Sequence, residues 1–127
     1  MKNKLAHWYK KYITNEATEA FEYNNIKKLQ DLKNMGHDII DLLNFEKHPL
    51  LIAIEEKRIP LIIYFIKNNI TEKILEDALI LTKKEKSPEI EKIIVLQTQE
   101  LEKRKKHYLN KYNKIKKEEK IIQKGSL

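Results

Sequence analysis

The stretch GHDIIDLLNFEKHPLLIAIEEKRIPLIIYFIKNN, residues 36–69, decides the fold. Pro49 stands where a helix can begin at no cost, because the first N–H groups of a helix have no intrahelical acceptor. PLLIAIEEK therefore reads as one helix, and IPLIIYFIKNN, with Pro60 near its start, as the next. Gly36 and Asn69 lie 33 residues apart, and each follows an apolar helix: IKKLQDLKNMG before the first, IPLIIYFIKNN before the second. A recurrence at that period marks stacked helical units. Between Gly36 and Pro49 the segment HDIIDLLNFEK mixes polar and apolar residues too irregularly to read as a helix.

Upstream, Ile26, Leu29 and Leu32 form a helical stripe that Gly36 ends, glycine being the residue that caps a helix in the left-handed conformation at no steric cost. Asn24-Asn25 reads as the turn before it, and Ala17, Ala20 and Phe21 as an earlier stripe after the N-cap candidates Thr14 and Asn15. Leu5, Trp8, Tyr9 and Ile13 recur at helical spacing as a separate N-terminal cap. Downstream, TEKILEDALILTKKEK is helical, Ser87-Pro88-Glu89 opens a further helix, and nothing breaks that helix before about Lys124. Period-2 alternation is absent, so the expected class is all-α.

Residues 36–69 resemble one ankyrin repeat without a gap. GHDI stands in place of the family's G-A-D-V, HPLLIAI in place of the T-P-L-H-x-A box with Pro49, Leu50 and Ala53 in register, and Leu61, Ile62, Phe65 and Ile66 in the apolar slots of its second helix. A degenerate repeat precedes it, with Ala20, Asn24, Leu29 and Leu32 in phase. Another follows, with DALIL after a finger shortened by four residues and Ile90, Ile94 and Val95 in phase again. The resemblance implies a stack of about three helix pairs, with an N-terminal helical cap and a long C-terminal helix closing its ends. His48 replaces the threonine that would bond the turn, and Leu51 replaces the family histidine, so the usual ties between loops are weakened.

Composition bounds the chemistry. A length of 127 residues fits one domain. With no cysteine, disulfides, thiolate zinc sites and cysteine nucleophiles are excluded, and a reducing cytoplasm is the expected compartment. MKNKLAHWYKKYI lacks the apolar run of a signal peptide, and the longest apolar run, Ile59 to Ile66, is too short to span a bilayer. Residues 1–100 balance 16 Lys and Arg against 16 Asp and Glu, whereas residues 101–127 carry 10 against 3. The chain thus divides into a neutral repeat body, 1–100, and a basic helical extension, 101–127.

No arrangement for catalysis stands out. His7, His37, His48 and His107 lie in different segments, and no carboxylate sits beside them at metal-ligand spacing. Two glycines cannot build a phosphate-cradling loop. The expectation is a protein that is not an enzyme and takes no cofactor, with His48 bracing the turn beside Pro49. The resemblance implies a concave binding face for a protein partner, formed at matching positions by Asp41, Asn44, Phe45, Glu46, Lys47, Glu55 and Glu56. Phe45 is either an exposed anchor for that partner or a side chain tucked against a neighbouring helix.

The extension offers Lys103, Arg104, Lys105, Lys106, Tyr108, Lys111, Tyr112 and Lys114, a basic and aromatic surface open to nucleic acid or an anionic membrane. Leu101, Tyr108, Ile115 and Ile122 recur every seven residues, a stripe that would pack on the body, on a partner helix or in self-assembly. Small lysine-rich ankyrin proteins occur among effectors of intracellular bacteria and among large viruses, so the resemblance also implies an effector delivered into a host cell to engage a host protein.

Overall fold

A computed structural model describes residues 2–68 and 70–125, with side chains placed for 6–68 and 70–118. The sequence assignments for the Leu5 and Ile122 side chains and for Asn69 fall outside what is described. Among the described residues there are seven helices and no strand: α1 (Lys2–Glu22), α2 (Ile26–Asn34), α3 (Ile39–Leu43), α4 (Pro49–Glu55), α5 (Ile59–Lys67), α6 (Glu72–Lys84) and α7 (Pro88–Gly125). None of them is long and apolar enough to cross a membrane.

The helices pair as α1/α2, α4/α5 and α6/α7, and the pairs stack, with α4 against α6, α5 against α7 and α2 against α5. The same turn closes each pair. Asn24, Lys57 and Lys86 adopt positive φ of 55°, 56° and 52°. The next residue's N–H returns to the carbonyl five back: Asn25 to Ala20 at 2.8 Å, Arg58 to Ala53 at 2.8 Å, Ser87 to Thr82 at 3.1 Å. That bond, with a second from the left-handed residue to the carbonyl three back, is the Schellman closure of a helix C-terminus. Ala20, Ala53 and Thr82 are all buried at these turns, where only small side chains let the next helix approach. The turn recurs after 33 residues and then after 29, the second interval short by the four residues missing from the third unit.

One core runs through the stack, from Ile13, Ala17 and Phe21 of α1 through Leu29, Leu50, Ile54, Ile62 and Phe65 to Ala78, Ile90 and Ile94. No single pair could cover its own apolar face; stacking buries all three together. His48 caps α4, its Nδ1 accepting the Leu50 N–H at 3.1 Å, so the histidine does locally what the sequence assigned to it. Gly36, at φ 98°, closes α2.

Two expectations are corrected. Thr14 and Asn15 do not start a helix: α1 runs unbroken through them, and Thr18 Oγ1 donates to the Thr14 carbonyl at 2.9 Å. The buried positions Ile13, Ala17, Ala20 and Phe21 keep one stripe across the supposed boundary, so packing outweighs the capping preference of the two polar residues. Nor is 36–49 wholly irregular. Asp38 caps α3 by accepting the N–H groups of Ile40 and Asp41 at 3.1 and 3.3 Å, and Ile39, Leu42 and Leu43 turn inward against α1 and α2.

The three closing turns lie along one edge of the stack; the connections leading into α3, α4 and α6 lie along the other. The first helix reaches that second edge near Tyr9, whose ring is 6.3 Å from that of His37, and it continues about two turns beyond. The last helix passes the same edge where Leu101 and Lys105 line a groove with Ile70 and Glu72. From Glu102 to Glu118 every side chain of α7 is exposed.

Candidate functional site

The face formed by α4 and α6 carries a shallow groove of about 330 Å³. Leu51 and Leu81 are partly buried at its base, and Ile80 stands 66% exposed on its wall. Asp77, Ile80 and Lys84 fall on one side of α6 because they are three and four residues apart. Across the groove Lys47 donates to Glu55 at 2.8 Å. That hydrogen bond and the charge of Glu55 hold the Lys47 ammonium above its usual pKa. The surface is thus an apolar strip bordered by both signs of charge.

The residues nominated from sequence do not gather into one site. Lys47 and Glu55 meet at the groove. Asp41 lies on α3 beside Tyr9, Lys10 and His37, in a different cleft. Glu56, at the C-terminus of α4, turns toward the closing-turn edge and pairs with Arg58 at 3.2 Å. Asn44 ends α3 in the left-handed conformation at φ 48° and is exposed, as is Glu46. Phe45 takes the tucked arrangement: it is partly buried, its ring edge-on to Phe21 with centroids 5.1 Å apart. Lys103, Arg104, Lys105, Lys106, Tyr108, Lys111, Tyr112 and Lys114 are all exposed on α7. Sequence reading missed Leu51 as floor and Asp77, Ile80 and Lys84 as wall; the spacing of the last three on α6 was the available signal.

A second cleft, of about 300 Å³, lies between the ends of α2 and α5, lined by Lys33, His37, Tyr64 and Asn68 among others. Lys33 Nζ donates to Asn68 Oδ1, and Asn68 Nδ2 donates to the Tyr64 carbonyl at 2.7 Å, so its polar groups largely satisfy one another. The Tyr64 hydroxyl is buried with no partner, and burial pushes its pKa up. Among the described residues no group of three or more His, Asp or Glu is placed to hold a metal ion.

No protein-family model matches the chain, and neither a curated protein nor a solved structure matches it.

Proposed function

We propose that this chain is a non-catalytic binding module, an ankyrin-like stack of three helix pairs whose α4/α6 face receives a segment of a protein partner. The ankyrin-like reading draws its support from the similar closing turns at Asn24, Lys57 and Lys86, spaced by the 33-residue period first seen in the sequence and then by 29, four fewer. The single observation that carries the function is Ile80, a large aliphatic side chain 66% exposed on a groove wall and flanked by Asp77 and Lys84. A contiguous apolar strip with a charged rim is the pattern of an interaction surface.

Affinity capture from cell lysate with nuclease and high salt tests this reading. The wild-type chain is expected to retain a defined protein, and Ile80→Glu to lose it by at least about tenfold, the loss expected when a charge enters an apolar contact. Because Ile80 is exposed, the substitution leaves the core untouched. Retention unchanged by Ile80→Glu, or abolished by nuclease, would contradict it.

A further inference from the structure

Two helical segments leave the body by the same edge, and both are basic and aromatic. On α1, Trp8 and Tyr12 are 65% and 49% exposed and stack on each other at 5.8 Å, with Lys11 on the same side of the helix and no acidic residue before Glu16. On α7, residues 102–118 hold eight Lys or Arg against two Glu, and Tyr108 and Tyr112 lie exposed one turn apart. Residues 14–100 hold 12 Lys or Arg and 16 Asp or Glu. The molecule is therefore charge-polarised, cationic at the edge where the two helices project and anionic over the rest.

The arrangement selects among polyanionic and apolar partners. A helix turns 100° per residue, so Lys105, Lys106 and the neighbouring pair Lys111 and Lys114 point to three different sides of α7. Tyr108, Leu109, Tyr112 and Ile115 are all exposed, but Lys105 and Lys116 fall among them around the helix, so they do not make the unbroken apolar face with which an amphipathic helix lies in a bilayer. A second copy of α7 would set lysine against lysine. Aromatic rings interleaved with lysine fit a strand whose phosphates and base faces are both accessible. Lysine outnumbers arginine 24 to 2, and arginine is the principal reader of base edges, so recognition does not depend on sequence.

We infer that the exposed N-terminal stretch of α1 around Trp8 and Tyr12 and the projecting part of α7 together bind single-stranded nucleic acid, lysines on the phosphates and Trp8, Tyr12, Tyr108 and Tyr112 on the bases. Trp8 is the one tryptophan in the chain, so it reports directly on this edge.

The test is a titration of the full chain with an oligodeoxythymidine long enough to span both extensions, following Trp8 emission and oligonucleotide anisotropy. Trp8 emission is expected to be quenched without a blue shift. Affinity is expected to fall about 100-fold between about 50 and 200 mM salt, the dependence given by roughly five phosphate contacts on a single strand. Tyr108→Ala with Tyr112→Ala should weaken binding at least about tenfold while leaving the salt slope unchanged, because stacking and charge act separately. Lys106→Gln, Lys111→Gln and Lys114→Gln together should flatten the slope. All these positions are exposed, and an unchanged circular dichroism spectrum confirms that each variant is folded. The inference is overturned if the oligonucleotide does not bind at low salt, or if the tyrosine changes leave its affinity unaltered. It is also overturned if Trp8 shifts to the blue on phosphatidylserine vesicles while the oligonucleotide has no effect, which would assign the edge to a bilayer.

Discussion

The two junctions of the stack are held by different forces. Where α4/α5 meets α1/α2, polar ties reinforce the apolar contact. Arg58 donates to the carbonyls of Phe21 and Glu22 at the end of α1 and to Asn24 Oδ1 at 2.9 Å, and its guanidinium lies 4.9 Å from the Phe21 ring centre. Lys33 reaches Asn68 across the opposite edge. Where α6/α7 meets α4/α5, no side-chain hydrogen bond joins the two pairs among the described residues; Ala78, Ile90 and Ile94 hold that junction by apolar contact. The fully buried side chains also thin out there, α6 contributing only Ala78 and Thr82. A polar tie is directional and fixes one register, whereas an apolar seam is proportional to area and tolerates sliding. The first two pairs are accordingly expected to be the more firmly held part of the molecule, and the third pair, which carries Ile80 and the long extension, the part most easily displaced.

Breaking the apolar junction should have the largest effect. Ile94 is fully buried, and Ile94→Ala is expected to cost about 3 kcal/mol in urea unfolding through the cavity it leaves. The same variant should expose α6 and the first half of α7 to hydrogen exchange while α1–α5 keep more of their protection. A uniform loss across all seven helices would show that the two junctions are not distinguishable. Next comes Arg58→Ala, expected to cost about 2 kcal/mol by stranding the carbonyls at the end of α1. Arg58→Lys should restore little of it, because a point charge cannot serve several acceptors as the planar fork does. Full recovery with lysine would reduce Arg58 to a charge.

The smallest effect is the pH response of the α4 cap. Burial lowers the pKa of His48 from its ordinary 6.5, and its Nδ1 must be unprotonated to accept the Leu50 N–H. The unfolded chain therefore binds this proton more readily than the folded one. The stability that His48 contributes is complete above its unfolded value and is lost as pH falls below about 6.5 toward the folded pKa. His48→Asn keeps a capping oxygen and does not titrate, so its stability should fall less than that of the wild type between neutral pH and pH about 5.5. Parallel profiles for the two chains would refute the role given to His48.

The helix pairs were legible because their signals are local. Pro49, Pro60 and Gly36 stand at helix ends, and the apolar stripes recur at helical spacing within each helix. The left-handed turns at Lys57 and Lys86 were not, since no glycine marks them and the buried Ala53 and Thr82 that allow close approach acquire meaning only from the neighbouring pair. Arg58 was missed for the same reason: its partners on α1 lie more than 30 residues away. The composition nonetheless carries one clue. In a chain with 24 lysines and 2 arginines, an arginine at a turn marks a place where the planar fork matters. At the groove, sequence found Lys47 and Glu55 but also nominated Phe45, whose burial depends on Phe21 in a distant helix.

Residue-resolved native-state hydrogen exchange on the full chain tests the central claim most directly, that three stacked pairs form the folded unit and that α7 leaves it after Leu101. The slowest amides are expected in α2, α4 and α5, intermediate ones in α6 and in α7 up to about Leu101, and the fastest helical amides from Lys106 to Glu118, where no neighbouring element covers the helix. Protection from Lys106 to Glu118 equal to that of α5 would contradict the account, because it would place the extension inside the cooperative core.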